Sequence, residues 1–203
     1  RSIGPCNMGG RATAIALVPG DPSAFYVGFA TGGLYKSANG GVTFQDVFRD
    51  HETSSIGAVG VVNAPAAWAG WDTLAARGDT VAVDDRAERG RGLVVWVGTG
   101  EGNGRNSVSW GHGVYRSTDG GGSFTNVGLE QTHNIPALAV DPNDPERCFV
   151  AAMGHLWGSN PERGVFRTTD GGATWKQVLK VDDEVGACDV VIAPDDPQRV
   201  FRA

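Results

Sequence analysis

The sequence predicts an all-β fold, a β-propeller of four-stranded antiparallel blades, of which this chain forms an incomplete piece of about three and a half. Three observations predict it. One Gly-rich turn occurs three times, apolar stretches lie on both sides of each copy, and a second hairpin with Pro and Asp in its turn occurs at residues 14–27, 137–150 and 190–201. Long-period self-similarity is typical of repeat architectures. Four short strands per repeat form a propeller blade.

The repeated turn reads Ser-Ala-Asn-Gly-Gly-Val-Thr-Phe from Ser37, Ser-Thr-Asp-Gly-Gly-Gly-Ser-Phe from Ser117, and Thr-Thr-Asp-Gly-Gly-Ala-Thr-Trp from Thr168. An Asp or Asn side chain accepts hydrogen bonds from backbone N–H groups just downstream. The glycines that follow adopt positive φ without the steric penalty of a Cβ. These features predict a structural role for the acidic or amide residue of each copy, namely Asn39, Asp119 and Asp170.

The turns and hairpins divide the whole chain, residues 1–203, into blades. The predicted blades span residues 10–48, 56–128 and 135–180, and an incomplete fourth spans 187–203. Propellers close with about four to eight blades. We therefore expect the remaining blades of a larger propeller to be partners of this piece.

One insertion interrupts the repeat. In the second blade, the connection between the first two strands is about 24 residues longer than in the first blade, and the insertion falls within residues 66–92. They include Trp68 and Trp71, followed by a charged run. Two interpretations stay open: a contact element that uses the two tryptophans, or a surface insertion that costs little in loop entropy.

Composition excludes some function classes. The net charge is −6 and the isoelectric point is near 5.1, which argues against nucleic-acid binding. No run approaches the roughly 18 apolar residues that a membrane span needs. The cysteines have no metal-ligand spacing, so we expect no metal and no cofactor. Cys148 and Cys188 are predicted to be small core residues, and Cys6 lies in a loop.

Strand order assigns each loop to one of two faces. The glycine-rich turns lie on the bottom face, and two long loops, 98–113 and 152–164, lie on the top. These loops carry Trp, His, Asn, Glu and Arg, a mixture suited to sugar or peptide recognition. Alternatively, their tryptophans only hold the loops against the propeller rim. The predicted ligand-binding residues are Arg11, Glu101, Asn103, Arg105, Asn106, Trp110, His112, His155, Trp157, Glu162 and Arg163.

The repeated turn resembles the Asp-box (BNR) repeats of sialidases, xyloglucanases and sortilin-type N-terminal propellers, with Asn39 in place of Asp in the first copy. Segments 4–11, 98–101 and 154–158 resemble bacterial repeat proteins labelled glycosyl hydrolase or sortilin-like. That resemblance implies a secreted or periplasmic location.

Two functions follow from the resemblance. The first is a non-catalytic ligand-binding or scaffold propeller whose top-face loops contact a glycan or a protein or peptide. The second is a glycoside hydrolase, similar to sialidases or xyloglucanases, that would use Glu101 and Glu162. Such enzymes need two carboxyl groups about 5–5.5 Å or about 6.5–9.5 Å apart.

The catalytic residues of these relatives are not recognisable in this chain. The position that matches the catalytic Asp of xyloglucanases is Ala30 or Thr31. A sialidase-like mechanism would need a Tyr–Glu nucleophile pair, and the three tyrosines occupy strand positions that we expect to be buried. We therefore favour the binding or scaffold function.

Overall fold

The computed structural model describes residues 10–65, 92–103 and 108–203. They form three four-stranded antiparallel sheets and one two-stranded sheet, each with its strands in sequence order. This arrangement confirms the predicted all-β fold of about three and a half blades.

The strands follow one another with short connections, apart from the insertion and the two long top-face loops. The first blade contains β1 (Ala12–Val18), β2 (Asp21–Phe29), β3 (Gly33–Ser37) and β4 (Gln45–Asp46). The second contains β5 (Ile56–Asn63), β6 (Leu93–Thr99), β7 (Val114–Ser117) and β8 (Thr125–Asn126). The third contains β9 (Ala137–Asp141), β10 (Asp144–Ala152), β11 (Gly164–Thr168) and β12 (Lys176–Leu179). The incomplete fourth contains β13 (Val190–Ala193) and β14 (Asp196–Arg202), and a 3₁₀ helix, Glu130–Thr132, lies between β8 and β9.

The core lies between consecutive blades because successive side chains of a strand point to opposite faces of the sheet. In β6, Val95 and Val97 pack with Tyr26 in the cluster between the first and second blades. Trp96, which lies between them in sequence, packs with Val150 in the cluster between the second and third blades. A third cluster joins the third blade to the half blade. The sheets of the second and third blades are thus covered on both faces, whereas Ile15 of the first blade and Phe201 of the half blade stay exposed.

Hydrogen bonds within each repeated turn, from its own side chains and backbone, hold the turn closed. In the second copy, the Ser117 hydroxyl donates to Asp119 Oδ1 at 2.7 Å and the Ser123 amide donates to the same oxygen at 2.9 Å. Gly120 and Gly121 have φ of 66° and 91°. A hydrogen bond from the Thr174 side chain, together with one from its backbone, lowers the pKa of Asp170 to about 2. The carboxylates are therefore engaged within the turns.

The aromatic residues at the ends of the second and third turns pack on the preceding blade. Trp175 donates its indole N–H to the Val127 carbonyl at 2.6 Å, and its ring lies 6.3 Å from that of Trp96. In the second blade, Phe124 packs on Phe48 of the first. Phe44 stays 45% exposed because no described sheet precedes the first blade. The turn therefore joins one blade to the next.

Two cysteine predictions have opposite outcomes. Cys148 is buried in β10, as predicted. The prediction that Cys188 is a core residue is wrong, because Cys188 lies in the loop before β13 and its side chain is exposed. Cys6, Trp68 and Trp71 lie outside the described residues. No helix in the described part of the chain has the length and apolarity needed to cross a membrane.

Candidate functional site

Three rings form a continuous row on the top face, which we call the ring row: Trp110, His133 and His155. The Trp110 and His133 ring centroids lie 5.1 Å apart with nearly parallel planes, and those of His133 and His155 lie 3.9 Å apart. The three residues come from the long loop of the second blade, the connection to the third blade, and the long loop of the third blade. Trp110 is 66% exposed, so the row ends in an open aromatic surface.

Backbone contacts fix the ring row. The Gly111 amide donates to the His133 carbonyl at 2.7 Å, and the Glu101 amide donates to the Ser109 carbonyl at 3.0 Å. Gly100 has φ of 90°, and a Cβ at this position would overlap the His133 carbonyl oxygen. Only glycine fits there, because the loop of the second blade passes directly against the connection that carries His133.

A cavity of about 180 Å³ lies beside the His155 end of the row. Its walls come from the two long loops and from the connections before the third blade and the half blade. The lining residues are Glu101, Asn134, Met153, His155, Leu156, Arg163, Glu184, Gly186 and Cys188. The Asn134 side chain is fixed by donation from Nδ2 to the Gly154 carbonyl at 2.9 Å. The ring row and the cavity together form the candidate site.

Arg163 holds the long loop of the third blade in place. Its Nη2 donates to the carbonyls of His155 and Gly158 at 3.0 Å each, and its Nη1 donates to the Glu184 carbonyl. The residue is only 9% exposed. Arg163, one of the predicted ligand-binding residues, therefore also positions the long loop of the third blade. Only part of its guanidinium faces the cavity.

The two carboxylates proposed as catalytic candidates occupy different surroundings. Glu101 is 1% exposed and forms an ion pair with Arg11. Glu162 is half-buried, and its charge partly opposes the lowering of the His133 pKa that burial causes. The Glu101 carboxylate thus balances a cation within the protein.

The remaining predicted residues surround the same face. Trp157 is 77% exposed, two residues beyond His155. Asn103 is exposed, and His112 is held by its backbone, whose N–H donates to Thr99 Oγ1 at 2.7 Å. Arg105 and Asn106 lie outside the described residues. In the described part of the chain, no group of three or more His, Cys, Asp or Glu side chains is placed to hold a metal ion.

The sequence prediction missed Asn134 and a hydrogen-bonded pair of Tyr115 and Glu52. The Tyr115 hydroxyl donates to Glu52 Oε2 at 2.5 Å. Burial, and then the hydrogen bond to Glu52, raise the pKa of Tyr115 to about 12. A buried phenol with a raised pKa is a poor nucleophile. No local sequence signal connects the two residues, because they come together only when the first two blades pack.

Acid is expected to destabilise the ring row through His133. Burial, and then the charge of His155, lower the pKa of His133 below its ordinary value of 6.5. The charge of Glu162 opposes this lowering of the pKa, and the charge of His112 adds to it. Between the ordinary and the folded-state pKa values the folded state binds fewer protons than the unfolded state, so the free energy of unfolding should fall as pH drops through 6.5 and level off below the folded-state pKa. Urea unfolding between pH 7.5 and 5 measures this loss.

His133→Gln is the matched control for that titration. The variant should lose less stability than the wild type over the same pH range, since glutamine does not titrate. Equal losses in the two proteins would show that His133 is not the group responsible.

Comparison with known proteins gives one short match in sequence. No family model matches the chain. A segment of 41 residues, 20% of the chain, is 46% identical to Xyloglucanase Xgh74A of Acetivibrio thermocellus and covers 4% of that enzyme. The matched segment is thus a small part of the curated relative.

Solved structures extend the similarity over most of the chain. An ancestral GH74 enzyme matches 93% of it at 20% identity with a TM-score of 0.57. The GH74 xyloglucanase from Xanthomonas campestris matches 92% at 18% identity with a TM-score of 0.57. A structure of YCF48 bound to D1 peptide matches 91% at 13% identity with a TM-score of 0.52. The chain spans 21%, 25% and 46% of these three chains, and at these identities the likeness shows the propeller fold.

Proposed function

We propose that this chain is a non-catalytic β-propeller module that binds a glycan across its top face. The observation that carries the proposal is the pair of exposed tryptophans, Trp110 at 66% and Trp157 at 77% exposure, on the two loops that border the cavity. A flat aromatic face packs against the C–H surface of a sugar, and nearby polar groups fix its orientation.

The similarity to a xyloglucanase supports a glycan as the ligand, since xyloglucan is the substrate that the relative's name gives. The repeated turns also support a glycan ligand, because they resemble the Asp-box repeats of sialidases and xyloglucanases. We assign the turns at Asn39, Asp119 and Asp170 to the Asp-box class and the blades to the predicted limits of 10–48, 56–128, 135–180 and 187–203. An exported location fits a module that meets polysaccharides.

Burial of Glu101, one of the two candidate acids, supports binding without cleavage. A general acid must come within hydrogen-bond reach of the glycosidic oxygen. The Glu101 carboxylate has no exposed surface and forms an ion pair with Arg11. Tyr115 and Glu52 do not provide a nucleophile pair, since the phenol is buried and its pKa is raised to about 12.

Trp110→Ala and Trp157→Ala should each weaken the binding of xyloglucan oligosaccharides. Truncating an aromatic residue at the centre of a binding site costs about 2 kcal/mol or more, which corresponds to about a 30-fold rise in Kd. Isothermal titration calorimetry on the wild type and the two variants measures the change.

Phe44→Ala is the matched control, because Phe44 is an exposed aromatic residue of a bottom-face turn. It should leave the Kd unchanged. If no xyloglucan or related β-glucan oligosaccharide binds the wild type, the glycan proposal fails. Binding of extended peptides instead would assign the face to a protein partner; YCF48, a structural neighbour, is bound to D1 peptide.

A glycoside hydrolase is the second candidate, and the 46% identity to a xyloglucanase favours it. In that case Glu162 would be the accessible carboxyl group and Glu101 its partner. Release of new reducing ends from xyloglucan by the wild type, abolished by Glu162→Gln, would establish hydrolysis and overturn the non-catalytic proposal.

A further inference from the structure

Three buried polar atoms beside the cavity have no hydrogen-bond partner within the described residues: Asn134 Oδ1, His155 Nε2 and Arg163 Nε. All three residues line the cavity. Asn134 is 2% exposed and Arg163 is 9% exposed. A buried polar group without a partner costs free energy, so such groups in a cavity wall point to something that binds there.

The three atoms differ in what they require of a partner. The amide oxygen of Asn134 can only accept a hydrogen bond. The Nδ2 group of the same side chain already donates to the Gly154 carbonyl. The guanidinium nitrogen of Arg163 only donates. The ring nitrogen of His155 either donates or accepts according to its tautomer. A matching ligand therefore needs both donors and acceptors within one small group.

We infer that this cavity is a binding subsite for a single neutral sugar ring, held through its hydroxyl groups. Each hydroxyl offers one donor and two acceptor lone pairs, so neighbouring hydroxyls satisfy Asn134 and Arg163 at once. An ammonium group offers only donors and a carboxylate only acceptors, and neither satisfies this wall. The inference rests on the proposed function, because the ring would be one unit of the glycan on the top face.

Size and lining agree with this ligand. The volume of about 180 Å³ equals that of about six liquid-like waters, which suits one sugar ring. Met153 and Leu156 add apolar surface to the polar wall, as a pyranose requires for its C–H face. The charge of Glu101 on the cavity wall is balanced within the protein, since Glu101 forms an ion pair with Arg11. A neutral ligand therefore meets no uncompensated charge from that pair.

Modification of Cys188 allows the cavity to be blocked without substituting Asn134, His155 or Arg163. Its thiol is exposed at the rim, whereas Cys148 is buried and burial raises the pKa of its thiol. In a Cys6→Ser chain, iodoacetamide should therefore modify Cys188 selectively. We expect carbamidomethylation to weaken the binding of glucose, xylose or galactose at least tenfold, measured by ligand-observed NMR titration. Asn134→Ala should give a loss of similar size.

A label on the opposite face is the control: Cys6→Ser/Cys188→Ser/Val42→Cys carries the same adduct on an exposed bottom-face turn, and its monosaccharide binding should be the same before and after labelling. Unchanged monosaccharide binding after Cys188 modification would overturn the inference, as would stronger binding of lysine or glutamate than of any sugar. A crystal soaked with these sugars that showed only ordered water in the cavity would also overturn the inference.

The xyloglucan titrations separate this result from the proposed function. If oligosaccharides bind through Trp110 and Trp157 but are insensitive to the Cys188 adduct, the subsite is wrong and the glycan function stands. If monosaccharides bind and the adduct blocks them, while no oligosaccharide binds, the subsite stands and the extended glycan function fails.

Discussion

Replacing Trp96 by Ala is expected to lower the free energy of unfolding by about 3–5 kcal/mol, as is typical for a large aromatic residue removed from a core. Trp96 is fully buried between the second and third blades. Its indole N–H donates to the Pro145 carbonyl at 3.2 Å, and its ring meets Trp175 edge-on at 6.3 Å. The substitution removes the contacts by which one blade is held against the next.

Urea unfolding followed by far-UV circular dichroism measures this loss. Trp157→Ala is the matched control because the same atoms are removed from a side chain that is mostly exposed. Its free energy of unfolding should stay within about 0.5 kcal/mol of the wild type. A Trp96→Ala protein as stable as Trp157→Ala would show that the blades are not joined through this cluster.

The fold was predictable because its signals are local. The hydrogen bonds of Asp119 reach only two to four residues along the chain, to Ser117 and Ser123. The positive φ of the two following glycines is set within the same turn. A unit that is specified locally and repeated three times leaves few alternative architectures, so the sequence alone was sufficient to predict the blades.

The site was less predictable because it depends on contacts between loops that are far apart in sequence. Trp110 and His155 were predicted separately, but the position of His133 between them follows only from the packing of three connections. In the sequence, no feature distinguishes Asn134 from other loop residues. Its role depends on the hydrogen bond that its amide donates to the Gly154 carbonyl. Cys188 was assigned to the core because apolar residues follow it, whereas the strand begins at Val190.

A Gly100→Ala substitution tests whether the ring row depends on the close approach of two connections. Gly100 has φ of 90°, a Cβ there would overlap the His133 carbonyl oxygen, and it would lie 2.8 Å from the Asn134 Cα. Backbone strain should cost about 1–3 kcal/mol, and steric overlap with the neighbouring backbone about 1–3 kcal/mol more. Movement of His133 away from Trp110 and His155 should also return its pKa toward the ordinary value.

Gly20→Ala separates backbone strain from the steric overlap. Gly20 has a similar φ of 84°, and no heavy atom of the described residues lies within 4 Å of the position that a Cβ would occupy there. The substitution should therefore cost only about 1–2 kcal/mol and leave the His133 titration unchanged, as measured by urea unfolding and imidazole NMR. If Gly100→Ala behaved in the same way as Gly20→Ala, the connections would be free to separate, and the ring row would not be a preformed surface for a ligand.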